Sequence, residues 1–194
     1  MTGRLCVFGL VWGVLTGLGC RPAQPPPEPG TAVPVYNKDT GVLEQLVSDR
    51  DGDGKVDTRA FMSGTRIVRV EIDRNADDVV DRREIYGTEP GNPNATVIER
   101  AEELGDASGR VIRLEHYARG MLERVEEDTD GNGRFDKWEY YEASRLKRVD
   151  LDLVGQGRVT QRLIYAAGGT LARMETDPDG DGRFDPVATG SPGR

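Results

Sequence analysis

The sequence has little with which to brace a fold covalently: 194 residues carry two cysteines, Cys6 and Cys20. If residues 1–19 are removed as a leader, Cys6 goes with them and no intramolecular disulfide remains. Stability must then come from packing or from bound metal. Histidine is nearly absent as well, His116 standing alone, and no serine or cysteine pattern accompanies it that would serve nucleophilic catalysis. No phosphate-cradling glycine loop and no zinc spacing occur either, so an enzyme is not expected. Aromatic residues make up 6% of the chain, and hydrophobic residues 36% against 31% charged, which makes any core modest. Positive charge is outnumbered: 26 Lys and Arg face 34 Asp and Glu, for a net charge of −8. Binding through phosphate neutralisation is therefore disfavoured, nucleic acid is not an expected partner, and cations are.

What is present begins with the two ends. Residues 1–20, MTGRLCVFGLVWGVLTGLGC, have a basic start at Arg4, an apolar run from Leu5 to Leu18 and small residues before Cys20, the order of an export signal. The run is shorter than the ~20 apolar residues a membrane helix needs. Its ending GLGC resembles the lipobox of bacterial lipoproteins, although Gly17 stands where that family usually carries leucine. The resemblance implies that Cys20 is lipidated after removal of a 1–19 signal peptide; an ordinary cleaved signal or an uncleaved anchor is the alternative. By analogy with lipoprotein sorting, Arg21 supplies no acidic retention signal, which points to the outer membrane of the cell envelope. Residues 20–35 include RPAQPPPEPGTAVP, a proline-rich stretch expected to be an extended tether, and 186–194 is expected to be a disordered tail.

Between the ends the chain repeats itself. Tyr117, Tyr141 and Tyr165 recur every 24 residues, and IVRVE from Ile67, IERAE from Ile98, LERVE from Leu122, LKRVD from Leu146 and LARME from Leu171 recur at almost the same interval, with one longer gap filled by the insertion TEPGNPNA, a period that decides architecture. Short β-branched and aromatic segments between the small turns SGT, ARG, EAS and AGG predict β-hairpins rather than helices. Residues 36–185 thus read as an all-β antiparallel meander of hairpins, either an open twisted sheet or a closed barrel. Strict alternation predicts that the leucine, arginine and final acid of LERVE share one face, with Val70, Ala101, Val125, Val149 and Met174 as an apolar column opposite. The tyrosine, turn and L-x-R order, clearest in YNKDTGVL from Tyr36, is similar to the YD (RHS) repeat family, which implies a continuous hairpin sheet.

The connections between hairpins carry the chemistry. DTDGNGRFDKWE from Asp128 places Asp128, Asp130, Asn132 and Asp136 at positions 1, 3, 5 and 9, Gly133 at 6, the carbonyl of Arg134 at 7 and Glu139 at 12. Calcium takes six to eight oxygens, and this spacing resembles the loop of an EF-hand. DRDGDGKVDTRA supplies Asp49, Asp51, Asp53, the Lys55 carbonyl and Asp57; DPDGDGRFDPVA supplies Asp177, Asp179, Asp181 and Asp185. DRNADDVVDRRE offers Asp73, Asn75, Asp77, Asp81 and Glu84, with Asp78 in place of the glycine. LGDASGRVI from Leu104 and DLVGQGRVT from Asp152 read as plain connections that keep only Gly109 and Gly157 with an occasional polar residue. Because polar turns do not by themselves demand an acid at position 9, the pattern points to calcium. The reading is a lipid-anchored, calcium-binding structural or interaction protein of the cell envelope, with an envelope protein or a glycan as possible partner. The alternative is a glycan- or peptidoglycan-binding module that uses exposed Trp138 and Tyr141.

Overall fold

A computed structural model describes residues 30–105 and 108–187. The expected signal peptide, Cys20, the tether up to residue 29 and the tail from residue 188 lie outside the described residues. The described chain forms thirteen strands: β1 Val33–Tyr36, β2 Leu43–Ser48, β3 Thr58–Ser63, β4 Arg66–Ile72, β5 Arg82–Glu89, β6 Asn92–Leu104, β7 Val111–Ala118, β8 Met121–Glu127, β9 Lys137–Glu142, β10 Arg145–Leu151, β11 Gln161–Tyr165, β12 Leu171–Thr176 and β13 Asp185–Pro186. They pair antiparallel in chain order, leaving β1 and β13 as open edges, so the sheet is a meander and not a barrel. β1 starts inside the expected tether, and β13 takes Pro186 from the expected tail. No helix among the described residues is long and apolar enough to cross a membrane.

The L-x-R signature marks a β-bulge. Tyr117 pairs Leu122 while its neighbour His116 pairs Arg124, leaving Glu123 as an extra residue. The same shift places Glu99 in β6, Lys147 in β10 and Val68 in β4 outside the ladder. This corrects the strict alternation expected for LERVE. An extra residue reverses the facing of what precedes it, so Leu122 joins Val125 on one face while Arg124 and Glu126 occupy the other. The turns obey the same economy. Arg119 and Gly120 take φ of 52° and 73°, the left-handed pair that lets a two-residue turn follow the twist of its strands.

Each strand packs mainly on its ladder neighbours, so the core lies within one layer. Its centre is a row running across the strands: Ala60, Val70, Glu84, Ala101, Glu115, Val125, Glu139, Val149 and Leu163 are successive register partners. Ala60, Ala101, Val125 and Val149 are buried because the long side chains around them fold over the row. Tyr86, Tyr117 and Tyr141 each donate a 2.7 Å hydrogen bond to Glu84, Glu115 and Glu139. Arg82, at 2.9 Å from Glu84 and 3.1 Å from Glu115, and Lys137, at 2.8 Å from Glu139, complete the network. The opposite face carries arginines paired to the acid two residues on, among them Arg69 with Glu71 at 3.2 Å, Arg100 with Glu102 at 2.9 Å and Arg148 with Asp150 at 3.0 Å. A sheet with so little apolar residue thus buries small side chains beneath charged stems.

Candidate metal centre

The meander sends every acidic loop to one end of the sheet and every tight turn to the other. The loop bases continue the ladder. The amide of the residue at position 1 donates to the position 9 carbonyl of the loop before it: Asp73 to Asp57 at 2.8 Å, Leu104 to Asp81 at 2.8 Å, Asp128 to Ile112 at 2.8 Å, Asp152 to Asp136 at 2.8 Å and Asp177 to Thr160 at 3.0 Å. The chain also arrives at this end, where the Gly30 amide donates to the Asp49 carbonyl at 2.8 Å.

Within a loop, the first aspartate organises the wrap. Its carboxylate accepts the amide of position 6 in five loops: Gly54 to Asp49 at 2.9 Å, Asp78 to Asp73 at 2.8 Å, Gly133 to Asp128 at 2.8 Å, Gly157 to Asp152 at 2.6 Å and Gly182 to Asp177 at 3.1 Å. Asp73, Asp128, Asp152 and Asp177 are buried. Burial alone would push the Asp128 carboxyl up, but the amides of Gly133, Gly131 and Asn132 outweigh it and hold that carboxyl below the usual carboxylate range. Asp177 is lowered against burial by the Gly182 and Gly180 amides, and Asp152 by those of Gly157, Gln156 and Val154. A carboxylate kept ionised by backbone donors is also one ready to meet a cation.

Two expectations about these loops change. The connection from Asp152 is not plain, since it reproduces the same wrap with Val154 and Gln156 at positions 3 and 5. An acceptor at position 9 has a structural use, because it receives the amide of position 2: Asp57 from Arg50 at 2.6 Å, Asp81 from Arg74 at 2.6 Å, Asp136 from Thr129 at 3.2 Å. Thr160 does the same for Leu153 with its hydroxyl at 3.1 Å. Turn chemistry therefore wants an acceptor at position 9, though not an acid.

Three loops bring acids together. Ligand atoms of Asp49, Asp51 and Asp53, of Asp128, Asp130 and Asp136, and of Asp177, Asp179 and Asp181 each lie within 4.8 Å of one another. Such all-oxygen sets suit hard cations rather than zinc. Asp57 is buried at its loop base and Asp185 is exposed at the start of β13; neither belongs to a triplet. The loop of Asp73, Asn75, Asp77 and Asp81 assembles no triplet of acids among the described residues, and Ala76 and Asp78 hold φ of 58° and 67° where the three triplet loops use glycine. The position 12 acids lie along the strands: Glu139 takes Tyr141 and Lys137, and Glu84 takes Tyr86 and Arg82. Lys55 and Arg134 supply position 7 backbone.

Sequence reasoning missed the side chains at position 7. The Lys55 ammonium donates to the Ala76 carbonyl of the following loop, and Arg110 donates to the Gly131 carbonyl at 3.0 Å. The signal was legible, since both acid-poor loops keep Gly-Arg at positions 6 and 7. For glycan stacking the rings are poorly placed. Trp138 and Tyr141 are half-buried, the Tyr141 hydroxyl is engaged by Glu139, and the Arg148 guanidinium covers Tyr140 at 4.0 Å.

No family model matches the chain, and no curated protein matches it. Among solved structures it is similar to one described as the crystal structure of the GtfA/B complex bound to UDP and GlcNAc, with 12% identity and a TM-score of 0.37 over 57% of this chain. The chain spans 22% of that chain's length.

Proposed function

We propose that this protein is a calcium-stabilised structural or interaction module, exported and anchored to the cell envelope, on the outer membrane, through lipidated Cys20. It acts without catalysis, displaying a rigid charged sheet to an envelope protein or glycan. The observation that carries the calcium reading is the contrast between two loops. The loop from Asp152 reaches the same wrap with one acid, at position 1, so the wrap does not require the further carboxylates of Asp130 and Asp136 that converge on Asp128. Carboxylates beyond the one the wrap requires, placed within 4.8 Å of it and of one another, repel unless a cation lies among them. Calcium is favoured over magnesium because long, adaptable oxygen loops suit its larger shell.

Extracellular calcium modules bind with dissociation constants of about 0.1 to 1 mM. At free calcium roughly tenfold above that constant, each independent site adds about 1.4 kcal/mol to the folded state, which is large beside a one-layer core. Calorimetric titration of the metal-stripped protein tests this. Saturable binding with a rise in Tm is expected. An unchanged Tm between chelator and millimolar calcium would leave the loops as polar turns. The anchor is tested separately: Cys20→Ser should abolish incorporation of labelled fatty acid, and continued labelling would remove Cys20 from the reading.

A further inference from the structure

The position 7 cations occur at alternate junctions. Counting loops from Asp49, Lys55 of the first loop reaches Ala76 of the second, and Arg110 of the third reaches Gly131 of the fourth at 3.0 Å. Arg158 of the fifth lies against Gly180 of the sixth so closely that a Cβ on Gly180 would fall on its guanidinium. In each case the target is position 4 of the next loop, beside the acids and not among the ligand positions. The fourth loop's Arg134 occupies position 7 without such a bond onto Gly155 among the described residues. The third and fifth loops hold no acid triplet of their own, yet they are the ones that supply arginine to the triplets of Asp128 and Asp177.

We propose that the acid-poor loops are braces: Arg110 and Arg158 are positioning residues, built-in counter-cations that hold the next loop wrapped before metal arrives. Lys55 does the same for the second loop. This rests on the calcium reading for its consequence but not for its geometry. In the metal-free protein the arginine faces uncompensated carboxylates and stabilises the wrap. Once a divalent cation sits among those carboxylates, the same arginine is opposed by it. The brace therefore stabilises the metal-free state more than the metal-bound state, and it keeps the fold intact at low calcium while weakening affinity.

Amide hydrogen exchange of the full chain, with chelator and with saturating calcium, tests this. Arg158→Met should accelerate exchange of the Gly180 and Gly182 amides severalfold in chelator, because the guanidinium packed against Gly180 is lost. Saturating calcium should erase the difference, and the loop from Asp177 should bind calcium severalfold more tightly, most clearly at low salt. Arg158→Lys should restore both behaviours in large part. Arg134→Met, at the junction without a brace, should leave the loop from Asp152 unchanged. Unaltered exchange of Arg158→Met in chelator overturns the inference whatever calcium does. If neither protein responds to calcium, the calcium reading of that loop falls, while the exchange in chelator still decides the brace.

Discussion

The Asp152 carboxylate accepts the Gly157 amide at 2.6 Å, the same bond by which metal-competent loops are wrapped, in a loop with no other acid. Conformation and ligand supply are thus separable in this sheet. Val154→Asp with Gln156→Asp and Thr160→Asp should add a metal site to the loop from Asp152 without refolding it. The check is calorimetric stoichiometry, expected to rise by one calcium per chain. An unchanged stoichiometry in a folded variant would show that the wrap alone does not make a site.

Removing the organising aspartate should cost stability with or without metal. Asp152→Ala strips the acceptor from the amides of Val154, Gln156 and Gly157, and unpaired part-buried donors cost about 1–3 kcal/mol. Urea denaturation should show that loss equally in chelator and in calcium. For Asp130→Ala, which leaves Asp128 in place, the loss should appear mainly in the calcium-dependent part of the Tm.

Acid should loosen the loop end first. Asp128, Asp152 and Asp177 have carboxyls held below their ordinary values by backbone amides against the opposing effect of burial. A depressed folded value means the stabilisation is present above the unfolded value of about 3.9 and is lost as pH falls through the folded value. Stability in chelator should be flat near neutrality and decline below about pH 4. The stability gap between the protein and Asp152→Asn, followed by urea denaturation, should narrow over the same window.

Alkali acts on the opposite end of the strands. Burial, followed by the hydrogen bonds to Glu84 and Glu139, raises the phenols of Tyr86, to about 12, and Tyr141. Burial and Glu115 raise Tyr117 likewise. A raised folded value contributes stability that is complete below the unfolded value of about 10 and disappears as pH climbs through the folded one. Ultraviolet titration should show tyrosines ionising late, together with unfolding, and Tyr141→Phe should remove one from that late group.

Residues forced into left-handed backbone mark where the fold can be strengthened. Ala143 and Ser144 hold φ of 47° and 59°, and Ala76 and Asp78 hold 58° and 67°, conformations that cost a side-chain-bearing residue about 1–2 kcal/mol each. Ser144→Gly and Asp78→Gly should each stabilise by roughly 0.5–1 kcal/mol after the entropy cost of glycine. Chemical denaturation reads the gain, and no gain at either position would mean that local side-chain hydrogen bonds offset the strain.

Much of this molecule is local, and local features are what a sequence states. The 24-residue spacing of Tyr117, Tyr141 and Tyr165 sets the hairpins because each strand meets only its chain neighbours. The Asp and Gly positions set the loop wrap because one carboxylate and two left-handed residues close it within nine residues. Three things waited for the tertiary structure. The bulge at Glu123 reverses the facing of Leu122, and periodicity counted on the sequence runs straight through an extra residue that only cross-strand pairing reveals. Whether the sheet closes depends on twist summed over thirteen strands, to which no single segment testifies. The arginine of one loop reaches the glycine of the next because the meander stacks their ends side by side, so Arg110 and Gly131, twenty-one residues apart, are neighbours only in the folded sheet.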